Sequence, residues 1–196
     1  NYGVHMFAFK KKYFLIIENI KDIDLSNIKF SKKFIIIYRN KNKIHDIEKL
    51  TRFRRFCKAK KIGFYVSNNY KLMISLNADG IYISAHNKNL SISKFKYSNY
   101  KIIGSAHNIK ELNLKALQGC THFIFSRLFQ TNYKNKNGFL GVIKFNLFSL
   151  SRRENLVPLG GIRLSNLNKL NLVNSNSFAL LSEIKKKPAN IINRLF

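Results

Sequence analysis

Tryptophan is absent, cysteine and proline occur twice each, and only 9 acidic residues face 36 lysines and arginines in 196 residues. Each shortage excludes something. Cys57 and Cys120 lie far apart and form no Cys-x-x-Cys pair, which leaves no cysteine zinc pattern. They read as reduced structural thiols, the state expected in a cytoplasmic protein. The other side-chain ligands are no better placed, because His5, His45, His86 and His122 lack metal-ligand spacing. No apolar run approaches the roughly 18–20 residues that cross a bilayer. The opening NYGVHMFAFK lacks the basic, apolar and small-residue order of a signal peptide. A membrane partner is therefore not expected.

What the chain does have is positive charge, formally +27. Such a balance points first to nucleic acid. A second cause is visible in the composition. Lysine, asparagine, isoleucine, phenylalanine and tyrosine are all abundant and all encoded by A/T-rich codons, so coding bias is read as the main source of the charge. The lysines are spread along the chain and form no single stripe, so nucleic acid is expected to bind only nonspecifically, at low salt.

Eight short apolar runs recur, at 13–17, 33–38, 63–66, 80–83, 101–104, 122–125, 156–159 and 178–181. Several are continuously apolar, the pattern of strands buried on both faces of a parallel sheet. Between them lie polar segments with helical spacing. In 44–57, Ile44, Ile47, Leu50, Phe53 and Cys57 fall on one face. Segment 108–119 opens with Asn108 and Glu111, a capping-box pattern. Segments 165–173 and 183–195 complete the set, with a turn or break expected before Pro188. Strands alternating with helices predict a small (β/α)8 TIM barrel spanning 1–196 as one domain, with residues 1–12 as an extra strand or tail. A doubly wound open sheet is the rival.

In a barrel the loops after the strands build the site. That rule selects Arg39 and Lys41; Ser67, Asn68 and Asn69; His86 and Asn87; Ser105 and His107; Thr131 and Lys134; Gly160 and Gly161; and Ser182. The set holds basic and hydroxyl groups and no carboxylate. It suits an anionic ligand and not a hydrolase built on paired carboxylates. Asp79, just before a strand, reads as a structural turn or cap.

These residues resemble the thiamine phosphate synthase/thiazole tautomerase family, which folds as a (β/α)8 barrel. Tyr38-Arg39-Asn40-Lys41 falls on the family's Leu-Arg-Glu-Lys, and Ala78-Asp79-Gly80-Ile81-Tyr82 on its Ala-Asp-Gly-Val-His. Ile103-Gly104-Ser105-Ala106-His107 is similar to its Gly-Val-Ser-Ala-His. "LFQTNYK", "VPLGGI" and "FALLSEI" resemble its phosphate loop, its double-glycine turn and its last strand. The resemblance implies transfer of a pyrimidine methyl group from its diphosphate to a thiazole phosphate, with release of pyrophosphate. It implies that Arg39, Lys41, Thr131 and Lys134 hold the pyrophosphate, and that Gly161, Leu181 and Ser182 hold the thiazole's phosphate. Ser105, Asn68 and Asn69 fall on further substrate positions. The family's two Mg²⁺-binding aspartates fall on Asn68 and Asn87, and an amide brings no charge to a hard cation. Three readings follow. The first is a divergent synthase. The second is a metal-free tautomerase that moves protons through His107. The third is a noncatalytic basic barrel that binds anions or nucleic acid.

Overall fold

The computed structural model describes residues 11–28, 31–40, 45–131, 138–186 and 188–195. Eight parallel strands close into a barrel in sequence order, which rules out the open sheet. They are β1 (Lys12–Ile17), β2 (Phe34–Tyr38), β3 (Gly63–Ser67), β4 (Gly80–Ile83), β5 (Lys101–Ala106), β6 (His122–Ser126), β7 (Leu156–Leu159) and β8 (Ser177–Leu180). Closure is direct: Tyr13 of β1 lies beside Phe34 of β2 on one side and Phe178 of β8 on the other. Every strand read from the sequence falls on one of these. Lys12 belongs to β1, and residues 1–10 lie outside the described residues.

Successive side chains on a strand point to opposite faces, and both faces here are dry. Phe14, Ile16, Ile37, Tyr65, Ile103, Ile124 and Val157 fill the barrel interior. Leu15, Ile17, Ile36, Phe64, Ile81, Ile102 and Phe178 pack outward against the crossovers. This is why the strands read as unbroken apolar runs. Cys57 and Cys120 are free and buried in the outer layer. Burial pushes both thiols up to about 12, so they carry no thiolate chemistry.

The crossovers depart from the expected strand–helix alternation. α1 (Ile47–Ala59), α2 (Tyr70–Ser75), α3 (Ile109–Leu117), α4 (Gly141–Leu150), α5 (Ser182–Lys186) and α6 (Pro188–Arg194) are α-helical. After β1, β4 and β7 the described helices are 3-10, and the segment read as a helix at 165–173 is the 3-10 stretch Leu164–Leu172. The local cause is visible in two of these. The side chains of Asn19, Asp24 and Asn89 each accept from the backbone N–H two residues on. Such turns offer the backbone an alternative to the α-helical ladder. α5 and α6 flank residue 187, so the break expected before Pro188 lies outside the described residues. α4 had no periodic signal because apolar residues occupy its exposed side as well: Phe145 is buried, while Ile143, Leu147 and Leu150 face solvent.

Among the described residues, no helix is long and apolar enough to cross a membrane.

Candidate functional site

The loops after the strands gather the selected residues into two groups on the C-terminal rim. The first group lines a cavity of about 120 Å³ at the ends of β6, β7 and β8. Thr131, Gly161, Leu181 and Ser182 all border it. Gly160 and Gly161 both take positive φ (106° and 68°), which turns the chain sharply after β7. The turn is pinned from two sides. Phe129 N–H donates to Gly160 O at 2.9 Å, and Asn166 Nδ2 donates to Gly161 O at 2.8 Å. Arg127 also borders the cavity, and its Nη1 donates to Thr131 Oγ1 at 3.1 Å. Sequence reasoning did not select Arg127. Its position in the first residues after β6 was the available signal, obscured by the abundance of basic residues.

The second group lies after β3, β4 and β5. Asn68, with φ of 57°, sits in the left-handed region that asparagine tolerates better than most residues. Its Oδ1 accepts from Ser84 N–H and from Asn87 Nδ2, both at 3.0 Å. Its Nδ2 donates to Ser84 Oγ at 3.1 Å. Asn87 Oδ1 in turn accepts from Asn89 N–H at 2.9 Å. Backbone donors thus fix which end of each amide is oxygen. Asn69 is the N-cap of α2, its Oδ1 accepting from Leu72 N–H at 2.9 Å. Ser105 is buried on β5, on the same inward alternation as Ile103.

His107 stands at the exposed end of β5. Its Nδ1 is 2.9 Å from Glu111 Oε2, and its backbone N–H donates to the same oxygen at 2.7 Å. The His86 ring stacks on it at 6.4 Å. The capping box read from Asn108 and Glu111 forms only in part. Asn108 Oδ1 accepts from Glu111 N–H, but the carboxylate turns to His107 instead of Asn108. Burial pushes the Glu111 carboxyl up, yet the His107 N–H and imidazole outweigh it and hold the group below the ordinary carboxylate range. A lowered folded value means that the stability from this pair is present at neutral pH and is lost as pH falls through that value. Glu111→Gln is therefore expected to be less stable than the parent at neutral pH and to lose less on acidification. Urea unfolding at a series of pH values checks this.

Arg39 follows β2, with its Nη2 3.5 Å from Glu18 Oε1 just after β1. Lys41 and Lys134 lie outside the described residues.

The Mg²⁺ implied by the resemblance does not fit the residues present. Asn68 Oδ1 already accepts two hydrogen bonds, and Asn87 Oδ1 accepts one from the backbone. Neither brings negative charge, which a small hard cation requires of its few protein ligands. Among the described residues, no group of three or more histidine, cysteine, aspartate or glutamate side chains could hold a metal ion.

Comparison with known proteins bears on these two groups. A family model described as thiamine monophosphate synthase matches residues 28–184. The thiamine-phosphate synthase of Pelagibacter ubique is 31% identical across 95% of this chain and 96% of its own length. That of Prochlorococcus marinus (strain SARG) is 24% identical across 65% of this chain, which spans 37% of that longer protein. Among solved structures, thiamine phosphate pyrophosphorylase from Pyrococcus furiosus shares the fold. It gives a TM-score of 0.71 at 15% identity, covering 95% of this chain and 98% of that one.

Proposed function

We propose a function from one premise, that the chain belongs to the thiamine monophosphate synthase family. The protein binds a thiazole phosphate with its phosphate in the cavity bordered by Thr131, Gly161, Leu181 and Ser182. It joins to that thiazole the pyrimidine methyl group of a pyrimidine methyl diphosphate. The thiazole nitrogen attacks the exocyclic methylene carbon as the bond from that carbon to the diphosphate oxygen breaks. The electron pair leaves with pyrophosphate, and the positive charge stays on the thiazolium. No proton moves in the step. The leaving group needs cations to take up its charge; Arg39, Lys41 and Lys134 are assigned that role, with Ser105 and Asn69 beside the substrates.

The observation that carries this reading is the cavity itself. It draws its border from the ends of three neighbouring strands and is bordered by two glycines, three hydroxyl-bearing residues and Arg127. That is the composition of an oxyanion nest.

A second reading has its own support. If Glu111 takes the Nδ1 proton of His107 as its hydrogen bond, Nε2 is left as a free base on the rim. A tautomerase needs one such base and no metal. One assay separates the two. The protein is incubated with thiazole phosphate and the pyrimidine diphosphate, with and without Mg²⁺, and the products are resolved chromatographically. Thiamine phosphate and pyrophosphate in equal amounts are expected. Isomerised thiazole phosphate alone, lost in His107→Asn, would favour the second reading. No product alongside saturable phosphate binding would leave a noncatalytic barrel.

A further inference from the structure

The loop after β4 is held by a feature that neither reading uses. Lys115, on α3, is fully buried. Its Nζ donates to the backbone O of Asn87 at 2.6 Å and to Gln118 Oε1 at 2.9 Å. Gln118, also fully buried, donates through Nε2 to Asn87 O and to Asn89 O. A buried ammonium is costly unless its protons are taken up. Here it is held against the very residue whose side chain closes on Asn68. Burial pulls the Lys115 amine below the ordinary lysine value, and the Cys120 and Glu111 groups act in the opposite direction. Two oxygen acceptors at short range, Asn87 O and Gln118 Oε1, take up two of its protons.

The Asn68–Asn87 pair has the close spacing of a ligand pair, with Asn87 Nδ2 at 3.0 Å from Asn68 Oδ1. What it lacks is charge. A hydrogen bond between the two amides fills the space that two carboxylates could share only with a shared proton or a metal ion between them. Behind that pair stands the buried Lys115 amine.

We propose that this corner of the site works without a metal: the Asn68–Asn87 clasp replaces a metal-bridged pair, and the Lys115 ammonium is the corner's resident cation. The proposal deepens the reading above, resting on it in taking the C-terminal rim as the ligand-binding face. Two consequences follow from charge alone. Restoring carboxylates at both positions creates a cation site. Removing Lys115 from that altered site strengthens it, since a fixed positive charge no longer opposes the incoming ion.

The test uses the full chain with Mn²⁺ as probe, read by the paramagnetic resonance signal of the free ion, with no phosphate ligand present. The wild type is expected to leave the signal unchanged. Asn68→Asp/Asn87→Asp is expected to take up one ion per chain. Adding Lys115→Met to that double variant is expected to tighten uptake on the order of tenfold. If the double variant does not fold, Asn87→Asp alone serves, because its oxygen can still accept the Asn89 N–H. Uptake by the wild type that Asn68→Ala or Asn87→Ala removes would overturn the proposal. So would a folded Asp variant that takes up nothing. Unchanged or weaker uptake after Lys115→Met would overturn the role of Lys115, since a merely structural lysine would loosen the loop and weaken the site. Failure of the wild type to bind inorganic phosphate in a separate titration would sink the proposed function and leave these results standing.

Discussion

Gly161→Ala is expected to weaken phosphate binding about five- to seventyfold while the barrel stays folded. Gly161 takes φ of 68°, where an L side chain costs about 1–2 kcal/mol. Conformation is the smaller problem. A Cβ built there lies 2.5 Å from Gln130 O and 2.6 Å from the carbonyl carbon and oxygen of Phe129. All of these are backbone atoms, so no rotamer change relieves the clash. The loops after β6 and β7 must separate, and Thr131 is the next residue along the displaced strand end. One methyl group thus disturbs both walls of the cavity. Overpacking of this kind costs about 1–3 kcal/mol beyond the conformational term. If half of the combined cost falls on the bound geometry, affinity drops by about five- to seventyfold. Gly138→Ala is the control. Gly138 also takes positive φ, at 93°, but an added Cβ meets nothing within 4 Å. It should lose a little stability and no affinity. Calorimetric titration with inorganic phosphate reads both variants, and equal losses would mean that strain rather than the cavity wall matters.

How far the sequence reveals this site follows from what each residue is asked to do. Strands buried on both faces leave no ambiguity, because runs such as Ile81-Tyr82-Ile83 have no polar alternative to suggest a surface. The end of each strand then marks the rim, and that rule alone finds Thr131, Gly161, Asn68, Asn87 and His107. Partnerships are harder to read. Nothing in "IKELNLKAL" distinguishes Lys115 from Lys110 except that Lys115 stands three residues after buried Leu112, on the inward stripe of α3. In a chain with 36 basic residues that signal is easily passed over. The Asn68–Asn87 clasp was half legible, since the resemblance puts both residues at one metal position but does not show them hydrogen-bonded to each other. The two residues are 19 apart in sequence, and only the pairing of β3 with β4 brings their loops together. Likewise the 3-10 crossovers depend on which short polar side chain captures the backbone first. That competition between nearly equal local hydrogen bonds is decided by fractions of a kcal/mol that composition does not encode.

Asp79→Ala is expected to cost about 3 kcal/mol in stability, the low end of the range for a buried ion pair that loses one partner, because only the Arg54 end is buried. The reason lies in an asymmetry between the two members. Asp79 Oδ1 accepts from Arg54 Nη2 at 2.8 Å, and Oδ2 accepts from Phe64 N–H at 2.8 Å. The Arg54 side chain is 9% exposed and the Asp79 side chain 42%. Removing the aspartate leaves a buried guanidinium on α1 with the Asn77 carbonyl, 3.1 Å from Nε, as its remaining recorded acceptor. It also leaves Phe64 N–H on β3 without that carboxylate. Removing the arginine instead, as Arg54→Met, leaves a carboxylate that water can reach and fills the space with an apolar chain of similar length. That variant should lose only about 1 kcal/mol, within the range for a net hydrogen bond. Asp79→Asn, which keeps an acceptor for Phe64 N–H but no charge, should fall between them. The order Ala, Asn, then Arg54→Met, from most to least damaging in urea unfolding, identifies charge burial as the governing effect. If Arg54→Met proved as damaging as Asp79→Ala, the packing of the Arg54 stem under α1 would be what holds these elements together. With domain stabilities of about 5–15 kcal/mol, the larger loss is a substantial part of the total. Asp79 and its partners lie at the opposite end of the strands from the cavity, between the entries to β4 and β5, where Lys101 N–H also donates to Asp79 O at 3.0 Å. Its loss should therefore lower the melting temperature without changing phosphate affinity in the protein that remains folded.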